Sequence, residues 1–125
     1  MKPVELEDTV LTEFFVAGWP YAKQSFRYRN NGHHFQKQNL ADWEEKIGWT
    51  AKSNFWGDPV TYSVRVYLHF FVRRNTADID NLVKAALDGL QGVIFKNDKQ
   101  VMELHASKQI TRQDLGVRIK ICTMK

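Results

Sequence analysis

The sequence predicts an α+β fold in which a mixed four-stranded sheet is covered by two helices. Three observations support this prediction. Apolar and polar residues alternate in strand-like segments, apolar residues recur every three or four positions in two helix-like segments, and the segments follow the order β-α-β-α-β-β. The length of 125 residues favours one compact domain, which we expect to span residues 1–125.

The first half of the chain predicts a strand, an irregular connection and a helix. Thr9–Ala17 is rich in β-branched and aromatic residues and is followed by turn residues from Gly18 to Pro20. Tyr21–Gln38 is polar with scattered aromatics and no sustained period, and irregular connections of this length are usually functional or mobile. Helical spacing follows at Leu40, Trp43, Ile47 and Ala51.

The second half predicts a long strand, a second helix and a hairpin. Apolar side chains occupy alternate positions along Val60–Val72, which places them on one face of a strand. From Ile79 onward an apolar stripe follows helical spacing as far as Leu90, aspartates near its start suit a helix N-terminus, and we expect the helix to end near Gly92. Val101–Thr111 and Val117–Thr123 are strand-like, and the turn residues between them predict that these two strands pair as a hairpin.

Positive charge is concentrated in one part of the chain. The formal net charge is +4, with 18 Lys and Arg against 14 Asp and Glu. Residues 21–40 contain no acidic residue, and their basic residues are Lys23, Arg27, Arg29 and Lys37. This distribution suits binding to a polyanion such as DNA, although a solvated basic loop shows the same pattern.

Signals for membranes, secretion and disulfides are weak. The apolar runs are far shorter than the roughly 20 residues of a membrane span, and the acidic start of the chain is unlike a signal peptide. Cys122 is the single cysteine of the sequence, so it forms no intramolecular disulfide and no zinc site by itself. We therefore expect a cytoplasmic protein without a membrane partner.

The residues best suited to chemistry are carboxylates next to the second predicted helix. Asp78 and Asp80 lie at the strand-to-helix junction, where two such side chains can converge on a hard cation that prefers oxygen ligands. Asp98, in the turn before the next strand, completes this site only if residues 92–97 run back along the helix. Lys84 lies one turn after Asp80, where its charge can stabilise a phosphate.

Structural roles fit the same residues. Asp78 and Asp80 are also compatible with helix caps, and Lys84 with an ordinary ion pair to Asp80. For Asp88, contact with solvent or with Lys84 is favoured over metal binding. Other enzyme classes are disfavoured, because the histidines form no zinc pattern and the sequence has neither a glycine-rich phosphate loop nor a nucleophile elbow.

Several segments resemble the RusA family of Holliday junction resolvases. The similar segments are Asp78–Lys84, Leu87–Leu90 and Asn97–Val101, followed by Lys108. Gly18-Trp19-Pro20 with its neighbouring basic residues also resembles the segment after the family's first strand. Members of that family are small, homodimeric, magnesium-dependent endodeoxyribonucleases that are common in prophages.

The resemblance implies an enzyme that acts as a homodimer on branched, four-way DNA and resolves it by paired symmetric nicks, in recombination and repair. It implies that Asp78, Asp80 and Asp98 bind Mg²⁺, or Mn²⁺ as a substitute, that Lys84 is catalytic, and that no small-molecule cofactor takes part. The expected location is the cytoplasm of a bacterial or phage-infected cell. The expected DNA-binding residues are Lys23, Arg27, Arg29, Lys37, Arg73 and Arg74.

Two alternatives stay open at this point. Asn97 stands where the family often has a further acid, and Ala77 stands where a basic residue is common. Asn97 favours the first alternative, a DNA-binding protein that keeps the fold but does not catalyse the reaction. An endonuclease of similar chemistry that cuts other branched or flapped DNA would show the same residues. Metal-dependent nicking of DNA separates the first alternative from the family's activity, and a comparison of DNA substrates separates the second.

Overall fold

The computed structural model describes residues 9–23 and 33–124, with the side chains of residues 33–36 outside the description. The elements within this part are Val10–Ala17 (β1), His33–Asn54 (α1), Val64–Val72 (β2), Ile79–Leu90 (α2), Val101–Ile110 (β3) and Gly116–Thr123 (β4). The predicted α+β architecture and its order of elements are therefore confirmed. None of the described helices combines the length and apolar character needed to cross a membrane.

The four strands form one mixed sheet in the order β1-β4-β2-β3. β2 and β3 are parallel and are joined through α2, whereas β4 is antiparallel to both β1 and β2. The predicted hairpin between β3 and β4 is wrong, because β2 lies between them. Turn residues predict a reversal of the chain but not which strands pair, and the more completely buried β4 takes the inner position while the exposed β3 takes an edge.

Two predicted boundaries also shift. α1 begins at His33, so the last part of the predicted irregular stretch Tyr21–Gln38 is helical. Lys37 and Gln38 are exposed, and a helical turn that faces solvent shows no apolar period for sequence analysis to detect. β2 begins at Val64 and not at Val60, which instead forms an isolated bridge with Phe95.

The core lies between one face of the sheet and the two helices. Alternate residues of β2 from Val64 to Val72 are buried, as are Ile47 of α1 and Leu82 of α2. The helices approach closely at Gly89, where a Cβ atom would lie 2.8 Å from the Glu44 carbonyl oxygen. This packing fixes α2 along the sheet, so that the start and the end of α2 lie at opposite ends of β2.

Candidate active site

The start of α2 presents two exposed carboxylates, of which only Asp80 binds the helix backbone. Asp78 is the N-cap residue, and its carbonyl oxygen accepts the Leu82 N–H at 3.1 Å, but its side chain makes no capping hydrogen bond. Asp80 lies in the first turn, and its Oδ1 accepts the N–H of Asn81 at 2.9 Å. Both residues are exposed. A helix N-terminus favours nearby negative charge, and the exposed position leaves both side chains accessible to a cation.

Basic residues lie close in sequence to these two carboxylates, and one more is brought near by the fold. Arg73 and Arg74 are exposed in the connection from β2 to α2. Lys84 is exposed one turn after Asp80 and makes no ion pair with it in the described part of the chain. Lys108 Nζ donates a 2.7 Å hydrogen bond to the carbonyl oxygen of Ala77, directly before Asp78. This end of the molecule therefore combines exposed acids with cations that suit a phosphate.

Lys108 is a residue to which sequence analysis assigned no role. Lys108 is part of the sequence pattern that resembles the RusA family. The parallel pairing of β2 with β3 brings it to the start of α2. The bond to the carbonyl oxygen uses one of the three N–H donors of the Lys108 ammonium group. The other donors can bind a further acceptor. Lys108 thus fixes the backbone at Ala77 and adds positive charge beside Asp78.

Asp98 lies at the other end of α2. Its N–H donates to Gln91 Oε1 at 3.0 Å, immediately after the helix. The segment between them folds as a compact turn, in which the Gly92 N–H donates to the Phe95 carbonyl oxygen at 2.7 Å. It therefore does not run back along α2, whose 12 residues correspond to about 18 Å of rise.

The three aspartates consequently do not meet within one chain. Among the described residues, no group of three or more His, Cys, Asp or Glu side chains is placed to hold a metal ion. The structure brings Asp78 and Asp80 together at the start of α2 and separates both from Asp98. Their assignment as metal ligands stays a prediction, and within the described residues Asp78 and Asp80 have no third carboxylate beside them.

The Asp98 turn is held in place by its neighbours. Asn97 Oδ1 accepts the Lys99 N–H at 2.9 Å, and Gln100 Oε1 accepts the Asn97 N–H at 2.8 Å. Gln100 Nε2 also donates to the carbonyl oxygens of Val60 and Tyr62, at 2.8 and 2.9 Å. The Asn97 side chain therefore has a capping role, which an amide performs as well as a carboxylate.

Lys23 joins the two helices. Its Nζ lies 3.0 Å from Glu44 Oε2 and 2.8 Å from Asp88 Oδ2. Its backbone N–H donates to the Asn81 carbonyl oxygen at 2.9 Å. Partial burial lowers the pKa of Lys23, but the hydrogen bonds to Asp88 and Glu44 outweigh this and raise the pKa overall. The partner of Asp88 is thus Lys23, and not Lys84 or solvent alone.

The basic stretch that was predicted to bind DNA is described only in part. Lys37 is exposed near the start of α1. Arg27 and Arg29 lie outside the described residues. The backbone bond from Lys23 to Asn81 places the beginning of this basic stretch beside the helix turn that carries Asp80. Lys23 itself is occupied by two carboxylates, so its ammonium group contributes to stability through contacts that a phosphate would have to displace.

Replacement of Lys23 by Met is expected to lower the free energy of unfolding by about 1 kcal/mol at pH 7, since two acids lose a shared cation. Folding raises the pKa of Lys23, so this contribution is present at neutral pH and is lost as the pH rises through the raised value. Urea titrations from pH 7 upward measure the difference. Lys37→Met, at an exposed position, is the control; equal stability of the two variants would contradict the network.

The exposed carboxylates at the start of α2 suit phosphodiester chemistry, and the family match identifies the protein as an endodeoxyribonuclease. The chain matches the family model "Endodeoxyribonuclease RusA" over residues 17–122. It is 32% identical over 112 residues to the crossover junction endodeoxyribonuclease RusA of Aquifex aeolicus (strain VF5), covering 87% of this chain and 89% of that protein. The chain therefore belongs to the RusA family, as its motifs predicted.

Proposed function

We propose that the protein resolves four-way (Holliday) DNA junctions by paired, symmetric, Mg²⁺-dependent nicks in the cytoplasm of a bacterial or phage-infected cell. Membership of the RusA family supports the choice of substrate, because the similar Aquifex aeolicus protein is named for crossover junctions. The observation that carries the proposal is the pair of exposed carboxylates Asp78 and Asp80 at the start of α2, of which Asp78 makes no capping bond and Asp80 binds only the neighbouring Asn81 N–H.

The donor set fits a hard divalent cation. Asp78 and Asp80 offer carboxylate oxygens, which Mg²⁺ and Mn²⁺ prefer over nitrogen or sulfur ligands. Neither carboxylate forms an ion pair in the described part of the chain, so each keeps lone pairs for a metal. Mg²⁺ usually retains several waters and takes few protein ligands, which suits an exposed site with two carboxylates.

We place the third carboxylate on a second copy of the chain. β3 is an edge strand, and its apolar residues Met102, Leu104 and Ile110 are 65%, 41% and 60% exposed. Such an edge is a template for pairing with another strand. Antiparallel pairing of two β3 strands about a twofold axis would bring the turn before one β3 to the end of the other, where Lys108 contacts Ala77.

This arrangement would complete the metal site. Asp98 of the partner subunit would approach Asp78 and Asp80 of the first chain, although about 18 Å of helix separates these residues within one chain. The twofold axis would create two identical sites, one for each strand to be cut. A homodimer would thus account for the separation of Asp98 from the other two aspartates and would allow the proposed symmetric nicks.

In the proposed hydrolysis, the groups around the site would have separate roles. A bound Mg²⁺ polarises a phosphodiester and lowers the pKa of water. Lys84 would stabilise negative charge on the phosphate, one turn from Asp80. Arg73 and Arg74 would hold the DNA backbone by phosphate contacts, which weaken with salt and carry little base specificity. Selection of a junction would then depend on DNA shape.

Cleavage of three substrates side by side tests the proposed function. With Mg²⁺, a four-way junction is expected to receive symmetric nicks, whereas a linear duplex of the same sequence stays uncut. Without divalent metal, no substrate is expected to be cleaved. Gel analysis of end-labelled strands locates the nicks. Preferential cleavage of a flapped substrate would favour a different branched DNA, and cleavage unaffected by chelation would contradict the metal-dependent reaction.

A further inference from the structure

Exposed aromatic and basic residues lie at the Asp98 end of the molecule, away from the start of α2. Trp56 is 92% exposed and Tyr62 is 47% exposed. Lys96 and Lys99 flank Asp98 in sequence, and both are exposed without an ion pair in the described part of the chain. We call these four residues the Trp56 surface. None of them was assigned to DNA binding by the sequence motifs.

The exposure of Trp56 differs from that of the neighbouring Trp49. Trp49 is 61% exposed, but its Nε1 donates to Glu45 Oε1 at 3.3 Å and Lys52 Nζ lies 5.8 Å from its ring centroid. Trp56 has no hydrogen bond or ring contact within the residues that the structure describes. Tryptophan is enriched among the residues that contribute most to binding at interfaces, so an exposed Trp56 without internal partners suits a binding role.

Hydrogen bonds fix the chain on both sides of Trp56, and those on its C-terminal side lie next to the Asp98 turn. Before Trp56, the Asn54 carbonyl oxygen accepts the Thr12 hydroxyl at 2.9 Å. After Trp56, the Val60 N–H donates to the Ile94 carbonyl oxygen at 2.8 Å, and Gln100 binds the carbonyl oxygens of Val60 and Tyr62. Trp56 therefore projects from a turn fixed at both ends.

We propose that the Trp56 surface binds a DNA strand at the branch point, with an unpaired base stacked on Trp56 and phosphates on Lys96 and Lys99. This inference rests on the proposed function, because it assumes that DNA passes over Asp98. Surfaces for single strands combine aromatic side chains, which stack with any base, and cations, which follow the backbone. The two lysines match the charge of a strand, and Trp56 and Tyr62 supply the ring faces.

Fluorescence of 2-aminopurine tests the contact. The base analogue is placed at the branch point of a four-way junction, and binding is measured with Ca²⁺ in place of Mg²⁺. Wild type is expected to change the fluorescence, and Trp56→Ala to abolish this change and weaken junction binding by roughly 5- to 100-fold, the loss of one base–aromatic stack. Trp56→Phe is expected to restore most of the affinity, and Trp49→Ala to bind as wild type does.

Each result bears on a different proposal. Unchanged junction affinity and fluorescence in Trp56→Ala would overturn the stacking contact while leaving the proposed function intact. Wild-type protein that binds junction and linear duplex equally would instead count against the proposed substrate. Size-exclusion chromatography of Trp56→Ala is expected to match wild type, and loss of self-association would show that the surface binds a second chain and not DNA.

Discussion

The Asp80→Asn variant is expected to bind a four-way junction as tightly as wild type and to cleave it at least about 100-fold more slowly. The amide oxygen can still accept the N–H of Asn81, and the residue is exposed, so the fold should not change. The variant loses one negative charge from a site proposed to hold a divalent ion. Metal ions contribute several kcal/mol of charge stabilisation to such reactions, and each 1.4 kcal/mol is about tenfold in rate.

Single-turnover cleavage and junction binding are measured on the same preparations. Asp42→Asn serves as the matched control, because Asp42 is an exposed aspartate of α1 whose Oδ1 accepts a side-chain bond from Gln38, as an amide also can. This control is expected to cleave at the wild-type rate. Wild-type cleavage by Asp80→Asn would remove Asp80 from the catalytic site, and loss of binding would point to a role in contacting DNA.

The fold could be predicted where one pattern decides the structure. α2 shows a continuous apolar stripe; it begins at Ile79 as predicted and ends at Leu90, two residues before the predicted end near Gly92. The hairpin of β3 and β4 failed because turn chemistry is local, whereas pairing depends on which strand best tolerates an exposed edge. The start of α1 was missed because residues such as Lys37 face solvent and leave no periodic trace.

The candidate site could also be predicted only where its residues are close in sequence. Asp78 and Asp80 are close in sequence, so their motif locates one half of the site. The distance to Asp98 depends on the path of residues 91–97, which form a turn and not a return along α2. The ion pairs of Lys23 with Glu44 and Asp88 arise only when α1 packs on α2, and no spacing along the chain encodes them.

A dimer built from two inactive variants is expected to regain cleavage. In a heterodimer of Asp80→Asn and Asp98→Asn, one shared site would carry both substitutions and the other would carry none. Sites confined within single chains would each keep one substitution and stay inactive. Because one of two sites is intact, the heterodimer is expected to nick a junction at about half the wild-type rate per dimer and to leave the second strand uncut.

Purified heterodimers allow this measurement directly. The two variants are co-expressed with different affinity tags, isolated by successive use of both tags, and assayed for Mg²⁺-dependent nicking of a four-way junction. A heterodimer of Asp80→Asn with Asp78→Asn is the matched control and is expected to stay inactive, since both of its sites are damaged. Restored nicking in the first heterodimer alone is the predicted result; two equally inactive heterodimers would contradict a metal site shared between subunits.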